Sequence, residues 1–316
     1  MLDSYIIEFV ATEKNFNEEG YLLSNPDVAK AVKEGRLRSG RKHFDLFGRK
    51  EGRKIRLPSS LILESKKKKL ERIRPLLRKD ISYIEKNNCY DFLSEELRSK
   101  FNIIETDAIS GCGYDTYGIE IIEKNAEGLV LDCGAGRRPV YFDNVVNFEI
   151  VDFDTTDVRG VGEDLPFVDQ AFDAVLSIAV LEHVKDPFLC AKEISRVIKP
   201  GGDLMCCVPF LQPFHAHPHH YYNMTGQGIQ NLFSDYLCID KVTVYDSLLP
   251  ISSLTWILRS WADGLQGKTK KDFMNLRVSD LIGDIGNYLD KPFVRELSME
   301  KNLELASATV LFAHKE

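Results

Sequence analysis

No apolar run of about 18 residues or more occurs in this chain of 316 residues, so nothing in it reads as a membrane-spanning helix. The opening residues, MLDSYIIEFVATEKN, carry Asp3 and no basic start before an apolar stretch, which argues against a secretory leader. Both absences lead us to expect a cytoplasmic protein. Cysteine is sparse and odd in number. The seven thiols, at 89, 112, 133, 190, 206, 207 and 238, are scattered through expected strands and helices, which disfavours a disulfide framework and suits reduced side chains. Cys206 and Cys207 are neighbours in one expected strand and point to opposite faces, so a joint metal site there is disfavoured. No internal repeat is visible, and the aromatics are not interleaved with basic residues in the manner of a single-stranded nucleic-acid platform.

What is present suits a folded α/β enzyme. A hydrophobic content of 44% is ample for a full core, and the length exceeds one typical domain, so a large domain with a smaller appendage is expected. Charge is uneven. Residues 1–127 hold 24 Lys and Arg against 22 Asp and Glu, whereas the remainder holds 17 against 26. Within residues 33–79, 18 basic residues face five acidic ones. Such a stripe suits phosphate groups or an anionic membrane surface; it also suits a solvated helix face that includes Lys66 to Lys69.

Residues 128–136 read GLVLDCGAG, an apolar strand that ends on Asp132 and enters a loop with Gly134 and Gly136. Glycine there lets the backbone approach a ligand beyond the carboxyl end of a parallel strand. Downstream, FDAVLSIAVLEHV is followed by KDPFLCAKEISRVIKPGG and DLMCCVP, the pattern of strand, helix, turn and strand. Ala191, Ile194, Val197 and Ile198 recur at helical spacing, and Pro200, Gly201 and Gly202 end the helix.

In this series the chain resembles the class I S-adenosylmethionine-dependent methyltransferases, in particular their type 11-like subgroup. The matching motifs are Asp132 to Gly136, Glu163 to Phe167, Phe172 to Val175, Leu181 to Val184 and Lys199 to Gly202, in the family's order. The resemblance implies a Rossmann-like seven-stranded sheet with helices on both faces over residues 88–316, and S-adenosylmethionine as cofactor. Strands six and seven are expected at Leu237–Tyr245 and Leu303–Ala313, with a helical lid at about 248–299 between them. Trp256, Trp261, Phe273 and Tyr288 in that insertion suit core positions or acceptor contacts.

The family pattern also implies site residues. Asp132 would orient the methionine amine, and the backbone of Cys133, Gly134, Ala135 and Gly136 would pass close to the cofactor. Glu149 is favoured for the ribose hydroxyls, with Asp152 in reserve. Adenine would fall to backbone groups of Gly162 and Glu163, or to the carboxylate of Glu163 or Asp164, because the acid that leads this motif in the family is replaced by Val161; Leu165 is also placed at the cofactor. Ser177 and Ala179 would line the crevice mouth. The chain lacks an Asn-Pro-Pro-Tyr motif and a Pro-Cys nucleophile, which disfavours methylation of DNA adenine and of ring carbons and leaves a hydroxyl, simple amine or carboxylate.

Four of the seven histidines lie in PFHAHPHHYYNMT, at 215, 217, 219 and 220. His215 and His183 are the candidates for a base that takes the acceptor's proton. The spacing comes without a regular helix or a nearby carboxylate, so no metal is assigned. At the other end of the chain, residues 1–58 carry YLLSNPDVAKAV and HFDLFGRKEGRK, which resemble a short helical motif found beside enzymes of bacterial surface-polysaccharide pathways. That likeness suggests a glycan or glycolipid acceptor, or another small hydroxyl-bearing molecule. Residues 59–87 are expected to form a helical connector with Leu61, Leu63, Leu70, Ile73, Leu77, Ile81 and Ile84 as its apolar stripe, interrupted or kinked at Pro75. Two other readings stay open. One is a non-catalytic module that binds cofactor or glycan and recruits biosynthetic enzymes. The other is a nicotinamide dehydrogenase, which the Pro139 at the third glycine position disfavours.

Overall fold

Asn25-Pro26-Asp27 starts a helix because proline at the first helical position has no N–H to leave unpaired. In the computed structural model, which describes residues 2–104, 106, 111–216 and 218–314, this helix belongs to a small N-terminal module. It comprises β1 (Ser4–Ile6), β2 (Glu8–Val10), α1 (Glu18–Ser24), α2 (Pro26–Lys33), α3 (Gly40–His43) and β3 (Lys54–Arg56), with β2 antiparallel to β3. Tyr21, Val28, Phe44 and Ile55 form its core, and the buried Tyr21 hydroxyl meets His43 Nδ1 at 2.9 Å.

The connector helix α4 (Leu63–Ile73) stops sooner than the apolar stripe predicts. Pro75 can supply no N–H to the ladder, so the chain tightens into a single turn over Arg74–Leu76 and then leaves the helix. Leu70, Ile73 and Leu77 are buried as expected, but Ile84 is exposed and begins β4 (Ile84–Lys86), antiparallel to β5 (Cys89–Asp91). The lysine run is not a solvated face throughout. Lys66 and Lys69 are buried, Lys66 Nζ donating to Asp154 O at 3.1 Å and Lys69 Nζ to Asp157 Oδ2 at 2.8 Å.

The rest of the chain supplies α5 (Glu95–Phe101), α6 (Thr116–Lys124), β6 (Val130–Cys133), β7 (Val140–Phe142), β8 (Val145–Glu149), β9 (Val158–Arg159), β10 (Phe172–Ile178), α7 (Pro187–Val197), β11 (Ile198–Cys207) and α8 (Gly226–Phe233). Seven strands form the main sheet in the order β11-β10-β6-β8-β9-β5-β4, parallel except for β4. Leu131 lies between Val146 and Val175, in the near-continuous apolar runs that a parallel sheet buried on both faces requires. One face packs on α4, α7 and α8 through Ile73, Ile194 and Phe233; the other packs on α6 through Ile122. Helices thus cover both faces.

The seven strands are not all the expected ones. Leu237–Tyr245 forms no strand, and Leu303–Ala313 starts as the end of a helix and continues without regular structure, with Val310, Leu311 and Phe312 exposed. Strand propensity is realised only where a ladder partner is present, and neither segment pairs with β11. β4 and β5, on the opposite edge, bring the sheet to seven. The helical insertion is present as α9 (Pro250–Asp263), α10 (Gly267–Met274), α11 (Pro292–Arg295) and α12 (Met299–Glu304). Trp261, Phe273 and Phe293 form its own small core, while Trp256 is partly exposed. Among the described residues no helix is long and apolar enough to cross a membrane.

Module and sheet are joined tightly. β1 pairs antiparallel with β7, Ser4 opposite Phe142. Arg56 is fully buried between them; Nε and Nη2 each donate to Asp154 at 2.7 Å, and Nη2 also donates to Arg138 O at 3.1 Å.

Candidate active site

Strand β6 ends at Asp132 and Cys133, and the loop beyond it is held by backbone bonds: Gly134 and Ala135 N–H both donate to Phe148 O, at 2.9 and 3.0 Å. Gly134 and Gly136 have φ of +85° and +63°, a conformation costly for residues with a Cβ. A Cβ on Gly134 would also run into the Val180 side chain, so this loop lies directly against the segment after β10. A helix does not follow it. The chain passes through Arg137-Arg138-Pro139 into β7, and Pro139 O accepts N–H bonds from Ile7 and Glu8. The N-terminal module braces this connection through β1 and those two bonds.

Asp132 is fully buried, and both oxygens are engaged. Arg138 Nε reaches Oδ2 at 2.7 Å, Nη2 reaches Oδ1 at 3.0 Å, and Tyr114 OH donates to Oδ2 at 2.5 Å. Burial, then the Asp132 charge, pushes the Tyr114 hydroxyl well above its ordinary range. Asp132 therefore anchors the loop through Arg138 and Tyr114, two residues absent from the sequence reading. Arg138 was legible as a cation beside the glycines; Tyr114, 18 residues upstream, left no local signal.

Glu149, at the end of β8, accepts from Gly136 N at 2.7 Å and Ile150 N at 2.8 Å; burial raises its carboxyl above the usual range. Asp152 is exposed, bonded by Asn87 Nδ2 at 3.0 Å, and among the described residues makes no hydrogen bond to the loop. Glu163 is buried, accepts from Lys185 N at 3.1 Å and is likewise raised by burial. Asp164 pairs with Arg78 Nη1 at 2.7 Å, and Leu165 lies in the core. Gly162 packs so closely that a Cβ there would stand 2.7 Å from Cys190 Sγ. Glu163 and Asp164 thus carry bonds that brace the segment between β9 and β10.

Ser177 Oγ is buried without a hydrogen-bond partner among the described residues. Ala179 has φ of +56°, sparsely populated for a residue with a Cβ, and its N–H donates to Cys207 O at 2.9 Å. The turn that follows delivers Glu182 and His183. Glu182 is fully buried, neither carboxylate oxygen accepts a hydrogen bond among the described residues, and burial pushes its carboxyl up to about 7. Its backbone oxygen accepts from Tyr221 N at 2.7 Å, which folds the histidine loop over it.

The two candidate bases come together. The His183 and His215 rings are 5.3 Å apart, edge to face, and His183 Nε2 lies 3.8 Å from Glu182 Oε1. The expectation that no carboxylate accompanies the histidines is corrected here: Glu182 adjoins His183 in the motif, and His215 reaches both through the loop. His220, 4.2 Å from His215 ring to ring, accepts from His215 N through Nδ1, and its Nε2 stands 2.8 Å from Asn223 Oδ1. His219 Nε2 instead meets Asn102 O at 3.0 Å, and His217 lies outside the described residues.

A cavity of about 1530 Å³ runs along the outer edge of β11, lined by Cys206, Val208, Met224, Phe233, Val242 and Trp256 among others. Neither the glycine loop nor Glu149 lines it, but Trp256 packs on His215 with 5.2 Å between ring centroids. The cavity thus adjoins the histidine side of the site.

Comparison with known proteins takes in the stretch from the glycine loop to β11 but not the histidine loop. Residues 110–206 match the methyltransferase domain family, which covers less than a third of the chain. A methyltransferase of Mycobacterium sp. (strain KMS), itself uncharacterized, is 43% identical over 61 residues, 19% of this chain and 24% of that protein. A tRNA U34 carboxymethyltransferase from Nautilia profundicola is 29% identical over 124 residues, 36% of this chain and 41% of that protein. Among solved structures, the YcgJ protein of Bacillus subtilis aligns with a TM-score of 0.31 and 19% identity over 49% of this chain and 86% of that one. The matches span well under half the length of these curated relatives. Residues 110–206 carry the class I methyltransferase fold, an enzyme fold whose cofactor is S-adenosylmethionine.

Proposed function

We propose that the chain transfers a methyl group from S-adenosylmethionine to a heteroatom, most simply the hydroxyl oxygen of a small-molecule or glycan acceptor. The observation that carries this reading is convergence: the glycine loop with Glu149, and the turn Ala179–His183, meet at the carboxyl ends of adjacent parallel strands β6, β8 and β10. The residues fit the cofactor in most respects. The left-handed glycines leave the loop backbone bare, and Glu149, already accepting two N–H bonds, has lone pairs left for ribose hydroxyls. Asp132 fits a loop-anchoring role better than direct contact, since Arg138 and Tyr114 hold its oxygens.

When bound, the cofactor supplies a methyl group on a sulfonium centre that is already an excellent leaving group. The protein's task is then alignment and removal of one proton. Of this chain's own residues, His183 or His215 would take the proton from the acceptor hydroxyl. The cavity beside β11 exceeds the roughly 300–1,000 Å³ of ordinary small-ligand pockets, which supports a large acceptor with an apolar portion. The glycan assignment rests on the N-terminal motif alone, and a glycolipid precursor satisfies both features. A cytoplasmic setting is part of this reading, supported by seven free cysteines.

Calorimetry with S-adenosylmethionine, S-adenosylhomocysteine and NAD tests it. The first two are expected to bind, with Glu149→Ala weakening both by at least about tenfold. Binding of NAD in their place removes the reading. Binding with no transfer of labelled methyl to envelope extracts or other hydroxyl-bearing acceptors favours a recruiting module instead.

A further inference from the structure

We propose that Glu182, His183 and His215 bind one divalent transition-metal ion, of zinc or cobalt character. Ligand atoms of the three side chains all lie within 4.8 Å of one another. Around an ion with ligands at about 2.1 Å such atoms stand about 3.4 Å apart, so small side-chain rotations close the set. Two imidazoles and one carboxylate are a donor set that suits these ions and leaves a further coordination position open.

Two independent features point to an ion rather than to packing. The first is Glu182 itself: a fully buried carboxylate whose oxygens accept no hydrogen bond among the described residues, beside two imidazoles. A buried acid in that condition is costly unless it is neutralised, paired or coordinates a metal. The second is the orientation of the rings. His183 Nδ1 faces His219 O at 2.5 Å and His215 Nδ1 faces Pro213 O at 2.8 Å. A carbonyl can only accept, so each Nδ1 carries the proton and each Nε2 carries the lone pair. Backbone carbonyls commonly fix metal-binding histidines in this way. His220 stands outside the set because its Nδ1 accepts from His215 N and its Nε2 faces Asn223 Oδ1.

Glu182 and His183 lie in the turn after β10, whose Val180 meets the glycine loop, and the role of the ion rests on the methyltransferase reading. There it would take the acceptor's oxygen as a ligand and lower the pKa of that hydroxyl, whose proton then leaves to water as the acceptor binds. The imidazoles in that case hold the ion rather than the proton.

Cobalt(II) titration of the chelator-stripped full chain, read by visible absorption, tests the site. One equivalent should give ligand-field bands that zinc(II) abolishes. Glu182→Gln and His215→Ala should each weaken cobalt binding by more than about 100-fold, beyond the loss seen when only an outer partner is removed. Melting curves of both variants, and S-adenosylhomocysteine calorimetry on the same samples, show that they are folded. Absence of the bands from the wild-type chain, or wild-type affinity in both variants, overturns the ion site and leaves the histidines as a proton relay. Cobalt binding without S-adenosylhomocysteine binding supports the ion site and removes the methyltransferase reading instead.

Discussion

A methyl group added at Gly134 meets the Val180 side chain and forces a residue with a Cβ to hold φ of +85°. Gly134→Ala should therefore cost about 1–3 kcal/mol in urea denaturation and weaken S-adenosylhomocysteine binding; unchanged values for both would show that the loop is slack. Lys69 is a second residue with sharp consequences. It is fully buried, burial pulls its ammonium down to about 8, and it faces Asp157, which also accepts from Tyr141 OH. Lys69→Met leaves Asp157 buried without its cation and should cost about 3–5 kcal/mol, much of it recovered in Lys69→Met/Asp157→Asn. The cysteines divide by exposure. Cys112 and Cys238 are exposed, whereas burial pushes the Cys89 thiol up to about 12. Iodoacetamide at about pH 8 should alkylate the first two and spare Cys89, read by peptide mass; rapid modification of Cys89 in the folded protein would contradict its placement.

Elements show which parts of the chain were legible. Helix α7 was readable because Ala191, Ile194 and Val197 keep helical spacing and Asp186 caps it by accepting from Leu189 N at 2.9 Å. β6 and β8 were readable as apolar runs that reach acids, Asp132 and Glu149, and β10 as the apolar run Phe172–Ile178. The connector misled in part: it is interrupted at Pro75 as expected, but its stripe does not resume as helix and Ile84 begins a strand. Lys66 and Lys69 looked like surface charge because their partners, Asp154 and Asp157, lie 88 residues away. Glu182 was quoted within its motif yet passed over, since nothing local distinguishes a buried acid from an exposed one. The joint between module and sheet is likewise long-range, and it is acid-sensitive. Burial alone would raise the Asp154 carboxyl, but the Arg56 hydrogen bonds and charge outweigh it and hold it below 3.8. Its contribution is complete above that ordinary value and is lost as pH falls through the lowered one. Limited proteolysis should begin to cut near residue 58 only below about pH 4, and an equal cutting rate at neutral pH would mean that the joint is not closed.

At the scale of the whole molecule, the module and the sheet make one cooperative body through β1, Arg56, Lys66 and Lys69. Differential scanning calorimetry should show one transition involving residues 2–233, and deletion of residues 1–58 should lower its midpoint, because β7 loses its partner and Asp154 its guanidinium. Two well-separated transitions from that region would contradict the arrangement. The insertion, with its own small core around Trp261 and Phe273, is the part that can melt separately.

Pairing of Ser4–Ile6 with Val140–Phe142 also sets an order of events during synthesis. Ser4–Ile6 must wait for a partner made more than a hundred residues later, and closing so long a loop makes that step a late one. Until then the turn after β6 lacks the N–H groups of Ile7 and Glu8 on Pro139 O. A nascent chain stalled before residue 140 therefore holds the glycine loop without the strut that braces it.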